Sequence, residues 1–191
     1  MESILHKEVF TDLHYFTRKN VPLEDVFKLI AKTNHGRKTL RRFLPKYAAD
    51  EIKVQEVKAQ EFNFFANPEP TGKPAACFVY AKGKRTIYYQ QGEELGILAL
   101  LLFHEILHSI DEDYISSLKT QELLWSNFVK KSQAILADTA KRLFIFINEL
   151  KETIPEYLRY LQSKREQGYL FHRNITDEEI VEGYHLNAKY V

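Results

Sequence analysis

The stretch Glu93-Glu94-Leu95-Gly96-Ile97-Leu98-Ala99-Leu100-Leu101-Leu102-Phe103-His104-Glu105-Ile106-Leu107-His108 decides how this chain is read. Its apolar residues run nearly all round a helix rather than along one stripe, which predicts a central, buried helix. The unbroken apolar run from Ile97 to Phe103 is far short of the roughly 20 residues needed to cross a bilayer. Polar groups buried in such a helix are costly unless something satisfies them, so the two histidines and the glutamate near its end need a partner.

His104 and His108 are four residues apart, one turn of helix, and therefore project from the same face. Both imidazoles can then reach one ion. Glu105 lies beside them, where it can take a proton from water activated by that ion. Zinc suits such a site because neutral imidazole is a borderline-soft ligand and the ion is redox-inert. The bland alternative is a pair of satisfied core histidines. The expectation is one zinc per chain, held by His104 and His108, with Glu105 catalytic.

Outward from this helix the period changes on both sides. The first fifty residues read as helical, with Pro22 opening a helix through Leu23, Val26, Phe27 and Ile30 that ends near Asn34-His35-Gly36. A second short helix covers Lys38 to Tyr47, with Pro45 near its end. From Glu51, Ile52 and Val54 alternate with charged residues, as do Phe62 and Phe64 in their turn, the pattern of half-buried strands. After the turn-rich segment Asn67 to Pro74, Ala75–Ala81 and Arg85–Gln90 flank Lys82-Gly83-Lys84 as a hairpin. Beyond His108 the period is helical: Leu118–Lys131, Ala134–Lys151, Pro155–Gln167 and a last helix with Thr176 as N-cap. Helices, antiparallel strands, a buried helix and more helices make an α+β pattern. The expected organisation is a single domain over 1–191. N-terminal helices fill 1–50, the sheet and active-site helix 51–117, and a helical C-terminal part 118–191.

Composition narrows the function classes. There are 191 residues, 45% of them hydrophobic, enough for a sizeable core and against a disordered chain. With 27 Lys+Arg against 26 Asp+Glu, nothing electrostatic favours nucleic acid or an anionic membrane as main partner. Cys77 is the single cysteine, so a disulfide framework and a cysteine-based zinc ribbon are both excluded. Any zinc must be held by histidine and carboxylate, the catalytic style of site. The start Met1 to Glu8 has charges where a secretory signal would need an unbroken apolar core, so no such signal is expected. The expectation is a soluble cytoplasmic protein with no obligate partner.

The pentapeptide His104-Glu105-Ile106-Leu107-His108, on a buried helix after a hairpin, resembles the zincin metallopeptidases. That resemblance implies a small mixed or antiparallel sheet packed on the active-site helix, followed by a helical part that supplies a third ligand. It also implies that the hairpin Ala75 to Gln90 offers an edge strand to which a peptide or protein substrate adds. Ser109-Ile110-Asp111-Glu112-Asp113-Tyr114 follows His108, so the metzincin extension with its glycine and third histidine is absent.

By similarity to the glutamate-ligand group, the gluzincins, a carboxylate on a later helix completes the site, and an acid four residues on orients a ligand histidine. Glu178 and Glu182 match that spacing. Glu179 is the alternate ligand, although it also fits N3 of a capping box begun by Thr176; Asp111, Glu122 and Glu149 stay open as well. Asp111, three residues beyond His108, resembles the aspartate of the lethal-factor-type proteases and can orient a histidine. It reads equally well as a surface acid. The sequence departs from that subgroup in a longer connection from His108 to Glu178 and in lacking a glycine inside the pentapeptide. Phe171 stands where that subgroup has a tyrosine, which leaves Tyr169 and His172 as candidates to stabilise an oxyanion.

The reading that results is a zinc-dependent peptidase, an endopeptidase before an exopeptidase. The alternative is a non-catalytic zinc-binding regulatory or scaffold protein with a zincin-like fold.

Overall fold

Caps and close approaches set the helical half of the fold. The computed structural model describes residues 12–58, 76–119 and 125–166, excepting the side chains of 125–136 and 165. Asp12 caps α1 (Leu13–Thr17), its carboxylate accepting the His14 N–H at 2.9 Å. Pro22 precedes α2 (Leu23–Ile30), which buries Val26, Leu29 and Ile30. Thr33 then caps α3 (Asn34–Ala48) by accepting the Gly36 N–H at 2.8 Å.

Here the structure corrects the sequence expectation. Asn34-His35-Gly36 opens α3 instead of closing α2, because the Thr33 hydroxyl accepts the Gly36 N–H, one of the new helix's otherwise unpaired first donors. Gly36 also permits the tight junction, since a Cβ there would fall 1.9 Å from the Ile30 carbonyl oxygen. Pro45 lies in the last turns of α3, which runs on to Ala48.

The sheet has three strands among the described residues, in the order β1 (Ile52–Val57), β3 (Lys84–Gln90), β2 (Ala76–Ala81). β1 runs parallel to β3 and β2 antiparallel to it, so the sheet is mixed. Lys82 and Gly83 make the two-residue hairpin turn with φ of 51° and 77°, both left-handed, as a type I′ turn demands. Ile52, Ile87 and Tyr89 are buried, and Val54 and Phe78 pack beside them against the common core.

α4 (Leu95–Ile110) is the centre of the molecule. Of its sixteen residues all but Leu101, His104 and Glu105 are buried, as its all-round apolar sequence requires. Helices α1 to α3 and strands β2 and β3 all pack on it. Its C-terminal carbonyls are met by cations: Arg85 donates to the Ser109 oxygen at 3.2 Å and Arg42 to that of Ile110 at 3.4 Å. Arg85 also holds Glu112 by two bonds of 2.9 Å.

α5 (Glu112–Lys119), α6 (Trp125–Thr153) and α7 (Pro155–Glu166) complete the described chain. The periodicity reads two helices, Leu118–Lys131 and Ala134–Lys151, where one 29-residue helix runs. Lys131-Ser132-Gln133 holds no glycine or proline, so nothing stops the helix there. Leu118 closes α5 instead. Phe146 of α6 stacks on Phe103 of α4 with ring centres 3.9 Å apart. Ile154 alone separates α6 from α7, whose Pro155 sits at the first helical position. The architecture is α+β: a small mixed sheet packed against helices, with a helical C-terminal region. No helix among the described residues is long and apolar enough to cross a membrane.

Candidate metal centre

The last turns of α4 carry the motif, and the helix does what its spacing requires. His104 Nε2 and His108 Nε2 face each other at 3.1 Å, their rings nearly perpendicular at 83°. His108 is 5% exposed, and burial, helped by His104, pulls its pKa down to about 3. It is therefore neutral at pH 7 and keeps one bare ring nitrogen as an electron-pair donor. Two ligands of a tetrahedral zinc at 2.0–2.1 Å stand about 3.3 Å apart. The observed 3.1 Å is close to that separation and is equally that of a hydrogen bond between the two rings, so the two imidazoles could hold one ion between them.

Glu105 points at the sheet. Its side chain is 12% exposed, and its Oε1 lies 4.0 Å from His104 Nε2. Burial pushes its pKa up to about 7, opposed by a hydrogen bond from the Phe78 backbone N–H. The strand register explains why that donor is available. Ala81 and Lys84 flank a two-residue turn and so form a hydrogen-bonded pair; three residues back, Phe78 opposite Ile87 is a non-hydrogen-bonded pair. Main-chain groups of Phe78 therefore face away from β3, toward the edge of β2 that no described strand covers. Glu105 takes one of them.

Tyr114 closes the other side. Its ring centre is 4.8 Å from that of His108 and 6.3 Å from that of Phe78. Burial raises its hydroxyl pKa, and the Glu105 charge adds to this. Cys77, half-buried nearby, is pushed up to about 11 by burial and Glu105, so it stays a thiol.

Other expected ligands are placed differently. Asp111 Oδ1 accepts the Tyr114 N–H at 3.0 Å, capping α5, while His108 Nδ1 makes no hydrogen bond among the described residues. Glu149 accepts the His35 N–H at 2.8 Å, at the start of α3. Glu122, Glu178, Glu179, Glu182, Tyr169 and His172 lie outside the described residues, as do Phe62, Phe64 and the helix expected after Thr176. Among the described residues no group of three His, Cys, Asp or Glu side chains could hold a metal ion. The described part of the candidate centre is thus two histidines, a mostly buried glutamate, the Phe78 N–H and Tyr114. Sequence reading missed the last two. An aromatic on the first turn of the helix capped by Asp111 was the available signal for Tyr114; the Phe78 donor has no side-chain signal at all.

Comparison with protein-family models, with curated proteins and with solved structures finds no match to this chain.

Proposed function

We propose that this chain is a zinc-dependent peptidase of zincin-like fold, with His104 and His108 as zinc ligands and Glu105 as general base. The 3.1 Å convergence of the two Nε2 atoms on a buried helix, with a carboxylate beside them, carries this reading. Zinc held there would act as a Lewis acid on a peptide carbonyl and make water a nucleophile near neutral pH.

The chain's own groups fit the remaining tasks. A carboxyl with a pKa of about 7 can take a proton from the attacking water and return it to the leaving amine. The Phe78 N–H fixes where that carboxylate points. The edge of β2 beside it, which no described strand covers, would offer outward main-chain groups to an extended peptide.

The third ligand in this reading is Glu178, with Glu179 as alternate, Glu182 orienting a histidine, and Tyr169 or His172 at the oxyanion. Chain length permits it. Lys164 is bound to Glu94 at the start of α4, ten residues or about 15 Å of helix before His104. Residues 167–177 can span up to about 36 Å when extended.

The test is cleavage of denatured casein and of a mixed peptide library by the zinc-loaded protein, read by mass spectrometry. Glu105→Gln is expected to keep its zinc and lose at least about 100-fold in rate. A wild-type protein that cleaves nothing, or a variant as fast as wild type, contradicts the proposal.

A further inference from the structure

His108 raises a question that its own hydrogen bonds do not answer. A ligand histidine is ordinarily oriented by a hydrogen bond from its second ring nitrogen to a carboxylate, a carbonyl or water. Here Nδ1 of His108 is buried and has no hydrogen-bond partner among the described residues. Asp111, the first carboxylate after it in sequence, is engaged elsewhere: its Oδ1 holds the Tyr114 N–H at 3.0 Å.

What does touch the imidazole is the Tyr114 ring, centred 4.8 Å away and tilted by 38°. Tyr114 is itself held at both backbone groups, since its carbonyl accepts the Ser117 hydroxyl at 2.6 Å. Its ring also lies 6.3 Å, centre to centre, from that of Phe78, whose N–H holds Glu105. A sequence of physical causes follows. Asp111 caps α5, the cap turns the chain back at once, and the turn lays a flat aromatic ring against the second histidine.

We infer that Tyr114 is the positioning residue for His108, its ring fixing the imidazole by packing, and that Asp111 acts only through the cap that places Tyr114. The inference rests on reading His104 and His108 as metal ligands, not on any cleavage activity. It assigns Tyr114 a role through its ring rather than its hydroxyl. It assigns Asp111 a role that asparagine can fill, because Asn caps a helix as well as Asp does.

The experiment is a zinc titration of the metal-free protein against a chromophoric chelator, with no peptide present, in five proteins. Tyr114→Leu is expected to bind zinc about 10- to 100-fold more weakly than wild type, the loss typical when a ligand's support is removed. Tyr114→Phe should bind within threefold of wild type. Asp111→Asn should match wild type and Asp111→Ala should fall with Tyr114→Leu. Cobalt added in place of zinc gives a second readout: the visible absorption of Tyr114→Leu should change, that of Tyr114→Phe should not. Far-ultraviolet circular dichroism of each metal-free variant reports whether it is folded, and the Asp111 pair decides the matter if Tyr114→Leu is not. Zinc affinity unchanged in folded Tyr114→Leu overturns the inference alone, as does an Asp111→Asn loss equal to that of Asp111→Ala. A wild-type protein that takes up no zinc overturns both this inference and the metal centre beneath it.

Discussion

Lys164 on α7 and Glu94 at the start of α4 form an ion pair of 2.7 Å whose side chains are only 7% and 15% exposed. Tyr160 donates its hydroxyl to the other Glu94 oxygen at 2.9 Å. Glu94 also lies at the N-terminus of the central helix, where its charge is favourable. Removing one partner of such a buried pair leaves the other charge desolvated, so Lys164→Met is expected to lower stability by about 3 kcal/mol. Glu94→Gln combined with Lys164→Met should cost less than Lys164→Met alone. Urea denaturation of the two variants checks this, and a double variant no better than Lys164→Met contradicts it.

Gly96 meets the same helix more closely still. A Cβ built on it would stand 2.3 Å from Tyr160 Cε1, on a ring that is almost fully buried. Alanine is the better helix former by about 1 kcal/mol. Even so, Gly96→Ala should destabilise by about 1–3 kcal/mol, because the ring must move within a packed core. A melting temperature at or above that of wild type would show that Tyr160 yields freely.

Lys82 occupies the first position of the hairpin turn at φ 51°, a conformation that costs an L-residue with an ordinary side chain about 1–2 kcal/mol. Asparagine tolerates it better, so Lys82→Asn should raise stability by up to about 1 kcal/mol. Gly83→Ala, at φ 77° in open space, should lower it by a similar amount through backbone strain alone. Thermal melts of both variants test the turn assignment.

The metal-free protein should show two opposed titrations. Glu105 has a pKa of about 7 against an ordinary 4.5, so the folded chain binds that proton more tightly than the unfolded one. Its contribution is complete below pH 4.5 and is lost as pH rises through 7, by about 3 kcal/mol in all. His108 has a pKa of about 3 against 6.5, so its contribution is complete above pH 6.5 and is lost as pH falls through 3. Glu105→Gln separates the two. With chelator present it should be more stable than wild type above pH 7, and the gap should close by pH 4.5. Equal stability at pH 8 contradicts the burial of the carboxylate.

How much of this was legible beforehand depended on pattern strength. The all-round apolar run fixes α4 as the centre, and the i, i+4 spacing puts His104 and His108 together, both visible in the letters. Lys82-Gly83 gives the hairpin to within one residue at either strand. Helix boundaries were harder. Thr33 reads as an ordinary polar residue until its hydroxyl is seen on the Gly36 N–H, and α6 hides the absence of a break at 131–134 behind an irregular apolar stripe. Tyr114 escaped notice because its importance is tertiary: the acidic run, read either as a histidine-orienting group or as surface, contains the cap that precedes it. The Phe78 N–H belongs to no side chain and emerges only from register.

The central claim is that one zinc ion sits on His104 and His108, and its most direct test is metal stoichiometry. After loading with zinc and exhaustive gel filtration, inductively coupled plasma mass spectrometry should find one zinc per wild-type chain. Folded His104→Ala and His108→Ala should each retain less than a tenth of that. Zinc absent from the wild-type chain, or retained undiminished by both variants, would contradict the account.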